Sequence, residues 1–131
     1  MSENLSKVKN YLLELDLNIT DENEKEELIV VNDTENGIQN LVIDCEPPIV
    51  VLEQLIMEIP GQKENFYKRL LQLNRTLVHG AFVLDEDEKY VFFRDTLQLD
   101  NLDLNELEAS IHSLSLALAE NGAELLEYAG K

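Results

Sequence analysis

The sequence predicts an α+β fold, an antiparallel β-sheet covered by helices, on three observations. Short β-branched runs alternate with longer segments whose apolar residues recur at helical spacing. The runs come as sequential hairpins, one of them marked by Asn36-Gly37, a pair that tolerates positive φ at little cost. No repeat, linker or low-complexity segment divides the 131 residues, so one domain spans 1–131. The predicted order is α-β-β-β-α-β-β-α.

A first helix runs to about Leu15. Ser2 or Ser6 caps it, and Leu5, Val8, Leu12 and Leu15 form its apolar stripe beside Tyr11. Thr20 to Glu27 is dominated by Asp and Glu and reads as an exposed loop or the frayed start of a strand. Leu28-Ile29-Val30-Val31 is a short strand, Asp33 to Gly37 a turn, and Ile38 to Cys45 the return strand. Pro47-Pro48 interrupts the pairing, because proline has no N–H to give to a ladder. Ile49 to Ile59 follows as a third strand. It is apolar on both faces, a pattern expected of a strand that is sandwiched or covered by a partner.

After Pro60-Gly61 a second helix is expected over about Lys63 to Val78. Phe66, Leu70, Leu73 and Leu77 form one stripe, and Tyr67, Leu71 and Val78 a second beside it. Gly80 suits the left-handed position that closes a helix. Ala81 to Leu84 and Tyr90 to Arg94 make a second hairpin around the charged turn 85–89. The last helix opens with Asp103 as N-cap, Glu106 three residues on, and Leu102 and Leu107 at the staple positions. Its buried stripe is Leu104, Leu107, Ile111, Leu114 and Leu118. Gly122 is expected to interrupt or cap it, with 124–128 adding a final turn.

Charge narrows the function. Twenty-seven acidic against ten basic residues give a formal net charge of -17. Such a field repels phosphate backbones and anionic membranes, so neither nucleic acid nor membrane is an expected partner. It favours solubility and fast encounter with basic partners. Residues 1–10 carry no signal-like apolar stretch, and no segment approaches the roughly 20 apolar residues of a membrane span. With the single Cys45 in an apolar run, where an inert buried thiol is expected, a reducing cytoplasm fits. Acidity of this kind is also common in bacterial cytoplasmic proteins for solubility alone.

Catalytic patterns are missing. One cysteine and two histidines, His79 and His112, would need carboxylates gathered from distant segments to make a zinc site. A calcium-loop reading from Asp85 meets Tyr90 at the sixth position and Thr96 at the twelfth. From Asn101 the same positions hold Glu106 and His112, so both readings fail. No phosphate-binding glycine pattern and no nucleophile elbow occurs. The sequence reads as a non-enzyme with no cofactor and no metal.

One region carries a resemblance. It comprises Leu70-Leu71-Gln72-Leu73-Asn74, Gly80 to Asp85, Tyr90 to Asp95 with Leu97, Leu102 to Leu107, and the helix Ile111 to Leu118. In order and spacing these residues resemble the class I type III secretion chaperones (the CesT-like family) and the related YbjN-like domains. The resemblance implies an α-β-β-β-α-β-β-α fold and, in most cases, a homodimer. It also implies a cytoplasmic, non-catalytic protein that holds an extended segment of a partner, such as a secreted substrate, without ATP. Extended segments bind by adding to sheet edges and placing alternate side chains in apolar pockets.

The expected partner-binding surface is Leu5, Val8 and Leu12 of the first helix with Ile29, Val31, Val50 and Leu52 of the early strands. The competing reading is that these residues form the core. The expected dimer surface is Phe66, Tyr67, Leu70, Leu71, Leu73 and Leu77 of the second helix. Its competitor is burial of that helix between sheet and last helix in a monomer. A second functional expectation is a YbjN-like adaptor that engages a folded basic partner electrostatically, with binding that collapses at high salt.

Overall fold

The computed structural model describes residues 2–130. Helix α1 (Glu3–Glu14) starts where Ser2 Oγ accepts the Leu5 N–H at 3.1 Å. Strands β1 (Asn18–Asn23), β2 (Leu28–Asp33), β3 (Ile38–Glu46) and β4 (Ile49–Glu58) follow as an antiparallel meander. Helix α2 (Lys63–Asn74) leads to the hairpin of β5 (Ala81–Leu84) and β6 (Tyr90–Gln98), and helix α3 (Leu104–Ala129) closes the domain. The sheet order is β1-β2-β3-β4-β6-β5, with β6 antiparallel to both β4 and β5. The α+β class and the antiparallel sheet under helices stand as read from the sequence.

The acidic stretch expected as a loop or frayed strand contributes the extra edge strand β1. Asn18, Asp21, Glu22 and Asn23 are poor strand formers, and tertiary contacts override that preference. Ile19 pairs with Val31 and packs on the core, while Glu22 reaches Lys9 of α1 at 2.7 Å. Helix α2 stops at Asn74, short of the expected Val78. Thr76 Oγ1 donates to the Leu73 carbonyl at 2.7 Å, and the Thr76 and Leu77 N–H groups bond three residues back, tightening the chain out of the helix. Gly80 is left-handed (φ 76°), but it does not cap α2. A Cβ there would lie 2.3 Å from the Phe93 ring, so glycine lets β5 begin hard against the core.

Helix α3 runs through Gly122 without interruption. Asp103 Oδ1 caps it by accepting the Glu106 N–H at 2.8 Å. Beyond Gly122, Leu125 is buried, and Glu124 holds Arg69 of α2 in a two-pronged bridge at 2.6 and 3.0 Å.

All three helices lie on one face of the sheet. There α1 and the first half of α3 cover β2, β3 and β4 with Phe93, and α2 and the second half of α3 cover β5 and Val91. Burying each such leucine or phenylalanine contributes about 1.5–3 kcal/mol. Polar groups inside this layer are paired. Gln54 donates to the Gly37 carbonyl and accepts the Gln39 N–H, both at 3.0 Å, which fixes the β2–β3 turn. Ser110 donates to Asp95 at 2.7 Å.

Candidate polypeptide-binding surface

Side chains alternate across a strand, so a core face on β2, β3, β4 and β6 defines the opposite face by register. Ile29, Val31, Leu41, Ile43, Val50, Leu52 and Phe93 point to the helices. The residues between them point away, onto a face that no helix of this chain covers. One row across it reads Asn23, Leu28, Asp44, Val51 and Thr96. The next reads Asp21, Val30, Val42, Glu53, Arg94 and Ala81. A third holds Leu55, Phe92 and Val83. None of these side chains belongs to either core cluster. Leu55 is 52% exposed, whereas Val51, at the centre of the face, is held to 5% by its strand neighbours. The face thus interleaves half-buried apolar side chains and the exposed Leu55 with carboxylates.

The electrostatics of the face are uneven. Glu53 meets the Arg94 guanidinium at 3.4 Å. Asp44 forms no ion pair among the described residues, and its charged neighbours are the carboxylates of Glu46, Glu26 and Glu27. Burial first, and then Glu46, holds its carboxyl above the usual carboxylate range. At the other end of β2 and β3 the face turns polar, where Asn32 bonds Thr20 Oγ1 at 3.0 Å and the Asn40 N–H at 2.9 Å.

The two sheet edges differ. On β5 the Asn74 side chain lies against the outward backbone of Phe82, accepting its N–H at 2.7 Å and donating to its carbonyl at 3.1 Å. The carboxamide thus occupies the place a further strand would take. On β1 only Thr20 Oγ1, Asn23 Oδ1 and the Asp21 carboxylate engage nearby backbone, within the strand pair or its turn.

The seven residues expected to line a partner surface lie in the core. Leu5, Val8 and Leu12 of α1 and Ile29, Val31, Val50 and Leu52 of the sheet are all buried in one core cluster between helices and sheet, so in this chain they present no surface to a partner. Of the expected dimer residues, Phe66, Leu70 and Leu73 are buried against β5, β6 and α3, and Tyr67 and Leu77 are half-buried. Leu71 faces solvent, 73% exposed. The open face, with Val30, Val42, Val51, Leu55 and Phe92, was missed as a site. Its signal was the two-sided apolar pattern of β4, which shows that something beyond one helical layer is required without showing which side the helices take.

Other features carry less chemistry. The Cys45 thiol is buried, and burial, with Glu27 and Asp44 nearby, pushes it up to about 11, so it stays protonated and unreactive at neutral pH. Both histidines border an apolar groove of about 160 Å³ between residues 76–79 and α3. The backbone of His79 is held there by Ser113, which accepts its N–H at 3.1 Å and donates to its carbonyl at 2.7 Å. Among the described residues no cluster of three His, Cys, Asp or Glu side chains could hold a metal, and no helix is long and apolar enough to cross a membrane.

A six-stranded antiparallel sheet with every helix on one side and an apolar opposite face defines a secretion-chaperone-like α+β protein. The chain belongs to the CesT_Tir_1 family, whose model matches residues 1–131. Among solved structures it is similar to YbjN from E. coli, described as a putative transcription regulator, with TM-score 0.71, 14% identity and 92% of each chain covered. It is similar to a chain of the HopA1–SchA chaperone–effector complex, with TM-score 0.62, 13% identity, and 85% of this chain and 88% of that one covered. A third likeness is to the Yersinia pestis type III secretion chaperone SycH, crystallised with a stable fragment of YscM2. Its TM-score is 0.61 at 17% identity, over 88% of this chain and 98% of that one. At these identities the likeness carries the fold. No curated protein matches the sequence.

Proposed function

We propose that this chain is a non-catalytic, cytoplasmic polypeptide-binding protein that holds an extended segment of a partner protein without ATP. The observation that carries the reading is the uncovered sheet face. Val30, Val42, Val51, Leu55 and Phe92 lie on the side that no helix among the described residues covers, with Leu55 exposed, Val30, Val42 and Phe92 half-buried and Val51 buried. Apolar side chains turned away from the helical layer, with Leu55 52% exposed among them, support a binding site on this face. Family membership, and the chaperones crystallised with protein partners among its structural relatives, support a protein as the partner.

The test is a holding assay. The chain, with no nucleotide present, suppresses light scattering of a chemically denatured client at near-stoichiometric ratio, and Leu55→Ser with Val42→Ser removes that effect while leaving the circular dichroism unchanged. Suppression untouched by the double substitution would sink the reading.

The homodimer belongs to the same proposal. It forms through the outer side of α2, where Leu71 stands in water, and Leu71→Asp turns a dimeric mass in light scattering into a monomeric one. An adaptor that engages a folded partner by charge alone is the second reading, favoured by the net charge of -17. Its mark is binding abolished by about 0.5 M salt, where screening is nearly complete within a few ångströms.

A further inference from the structure

On the uncovered face apolar and acidic positions are interleaved. Along β3 the outward residues are Val42, Asp44 and Glu46, and along β4 they are Ile49, Val51, Glu53 and Leu55. Across the pair, Val42 stands opposite Glu53 and Asp44 opposite Val51. Each central carboxylate therefore has a valine as its direct neighbour, about 5 Å away across the strands and about 7 Å away along them. Glu53 is answered by Arg94, and Asp44 by no cation among the described residues. A wholly apolar segment laid on this face would bury Asp44 uncompensated, which is costly. A purely basic one would leave the half-buried Val42 and the exposed Leu55 uncovered.

We infer that the face takes a partner segment in which basic and apolar side chains are interleaved on one side, with a lysine or arginine seated on Asp44 between the valines. This rests on the polypeptide-holding reading and names the chemistry of the segment held. In an extended chain, residues on one side recur at every second position, about 7 Å apart. That matches the spacing of outward positions along β3 and β4. The required pattern is apolar, spacer, basic, spacer, and not simple alternation, which would put the two kinds on opposite sides.

Four fluorescent peptides test it by anisotropy. The first repeats Val-Ser-Lys-Ser; the second and third carry glutamate or glutamine for lysine; the fourth has the first one's composition with valine and lysine on opposite sides. The first binds tightest. Asp44→Asn weakens it about fivefold at low salt, the loss expected for one exposed-to-half-buried pair. Glu108→Gln with Glu120→Gln removes two charges from exposed positions in the helical layer and leaves binding unchanged. Leu55→Ser weakens every peptide that binds.

If the lysine and glutamine peptides bind alike, or the rearranged peptide equals the first, the charge pattern is wrong and the polypeptide-holding reading survives. The same holds if the helical-layer pair costs as much as Asp44→Asn. If no peptide binds, or Leu55→Ser changes nothing, both fall together.

Discussion

Asn74→Ala is the perturbation that separates a closed sheet edge from an open one. Asn74 ends α2, and its carboxamide pairs with both backbone groups of Phe82, at 2.7 and 3.1 Å. Phe82 is buried in the second core cluster, so little water reaches that backbone. Truncating Asn74 removes two hydrogen bonds of about 1 kcal/mol each and leaves a donor and an acceptor to find replacements. The expected loss is about 2 kcal/mol, or a fall in Tm of about 8 °C for a domain of this size. Urea denaturation followed by circular dichroism measures the first, and calorimetry the second.

The substitution has a second consequence that a lost contact alone would not produce. With the plug gone, β5 presents an unpaired N–H and C=O at an apolar edge, a template for another strand. Light scattering should show a concentration-dependent rise in mass for Asn74→Ala beyond that of the parent. Adding Val83→Lys, a charge on the same four-residue strand, should suppress the rise without restoring the stability. An Asn74→Ala protein within 0.5 kcal/mol of the parent, with the parent's mass at all concentrations, would refute the reasoning. The edge would then be closed by something other than the carboxamide.

Other perturbations reach different parts of the molecule. Gly80→Ala forces an L side chain into φ 76° and drives its Cβ into the Phe93 ring, which is buried and cannot move aside. A loss of 3 kcal/mol or more, roughly the left-handed cost plus overpacking, should appear in denaturant midpoints. Asp44→Asn acts in the opposite sense. Its folded carboxyl titrates above the unfolded one, so the native state binds the extra proton and the charged form costs stability as pH rises through that window. The substitution should therefore stabilise at neutral pH, by up to about 0.5 kcal/mol, and the gain should vanish in acid, read from midpoints at both pH values. Glu124→Gln weakens the tether to Arg69 and should cost about 0.5 kcal/mol, with faster amide exchange in α3 beyond Gly122.

What the sequence made legible was local. Ser2 and Asp103 announced two helix starts, Asn36-Gly37 a hairpin, and the apolar spacing of 5–15, 63–78 and 104–118 three helices, all of which are present, though α2 ends at Asn74 instead of Val78 and α3 runs on to Ala129. Longer-range features were hidden. Residues 18–23 form a strand because β2 offers an edge and Ile19 reaches the core, neither of which shows in an acid-rich string. Helix α3 ignores Gly122 because Leu125 and the Arg69–Glu124 bridge hold its second half. The open face was the hardest. Val50 and Val51 are adjacent and equally apolar, so period-two reasoning finds two faces without ranking them. Only the joint placement of α1, α2 and α3 assigns Val50 to the core and Val51 to the open side.

The interleaving of acids among valines on the open face also bears on whether such a surface would draw copies of the chain together. Two of these faces stacked on each other would set Asp44 and Glu53 of one copy among the carboxylates of the next, with only Arg94 to offset them. Like charges brought together in a drying interface cost far more than they do in water. Apolar area draws the faces together and the carboxylates push them apart. A basic, apolar segment feels the first force and reverses the sign of the second. On the proposed reading the same residues would select a partner and oppose stacking of two such faces, which leaves the α2 side, with its exposed Leu71, as the surface for the proposed dimer. Replacing Asp44 and Glu53 together by asparagine and glutamine should thus weaken binding of the lysine peptide and, in the absence of peptide, increase self-association in light scattering. A double variant that loses binding yet stays at the parent's mass would show that the carboxylates recruit but do not repel.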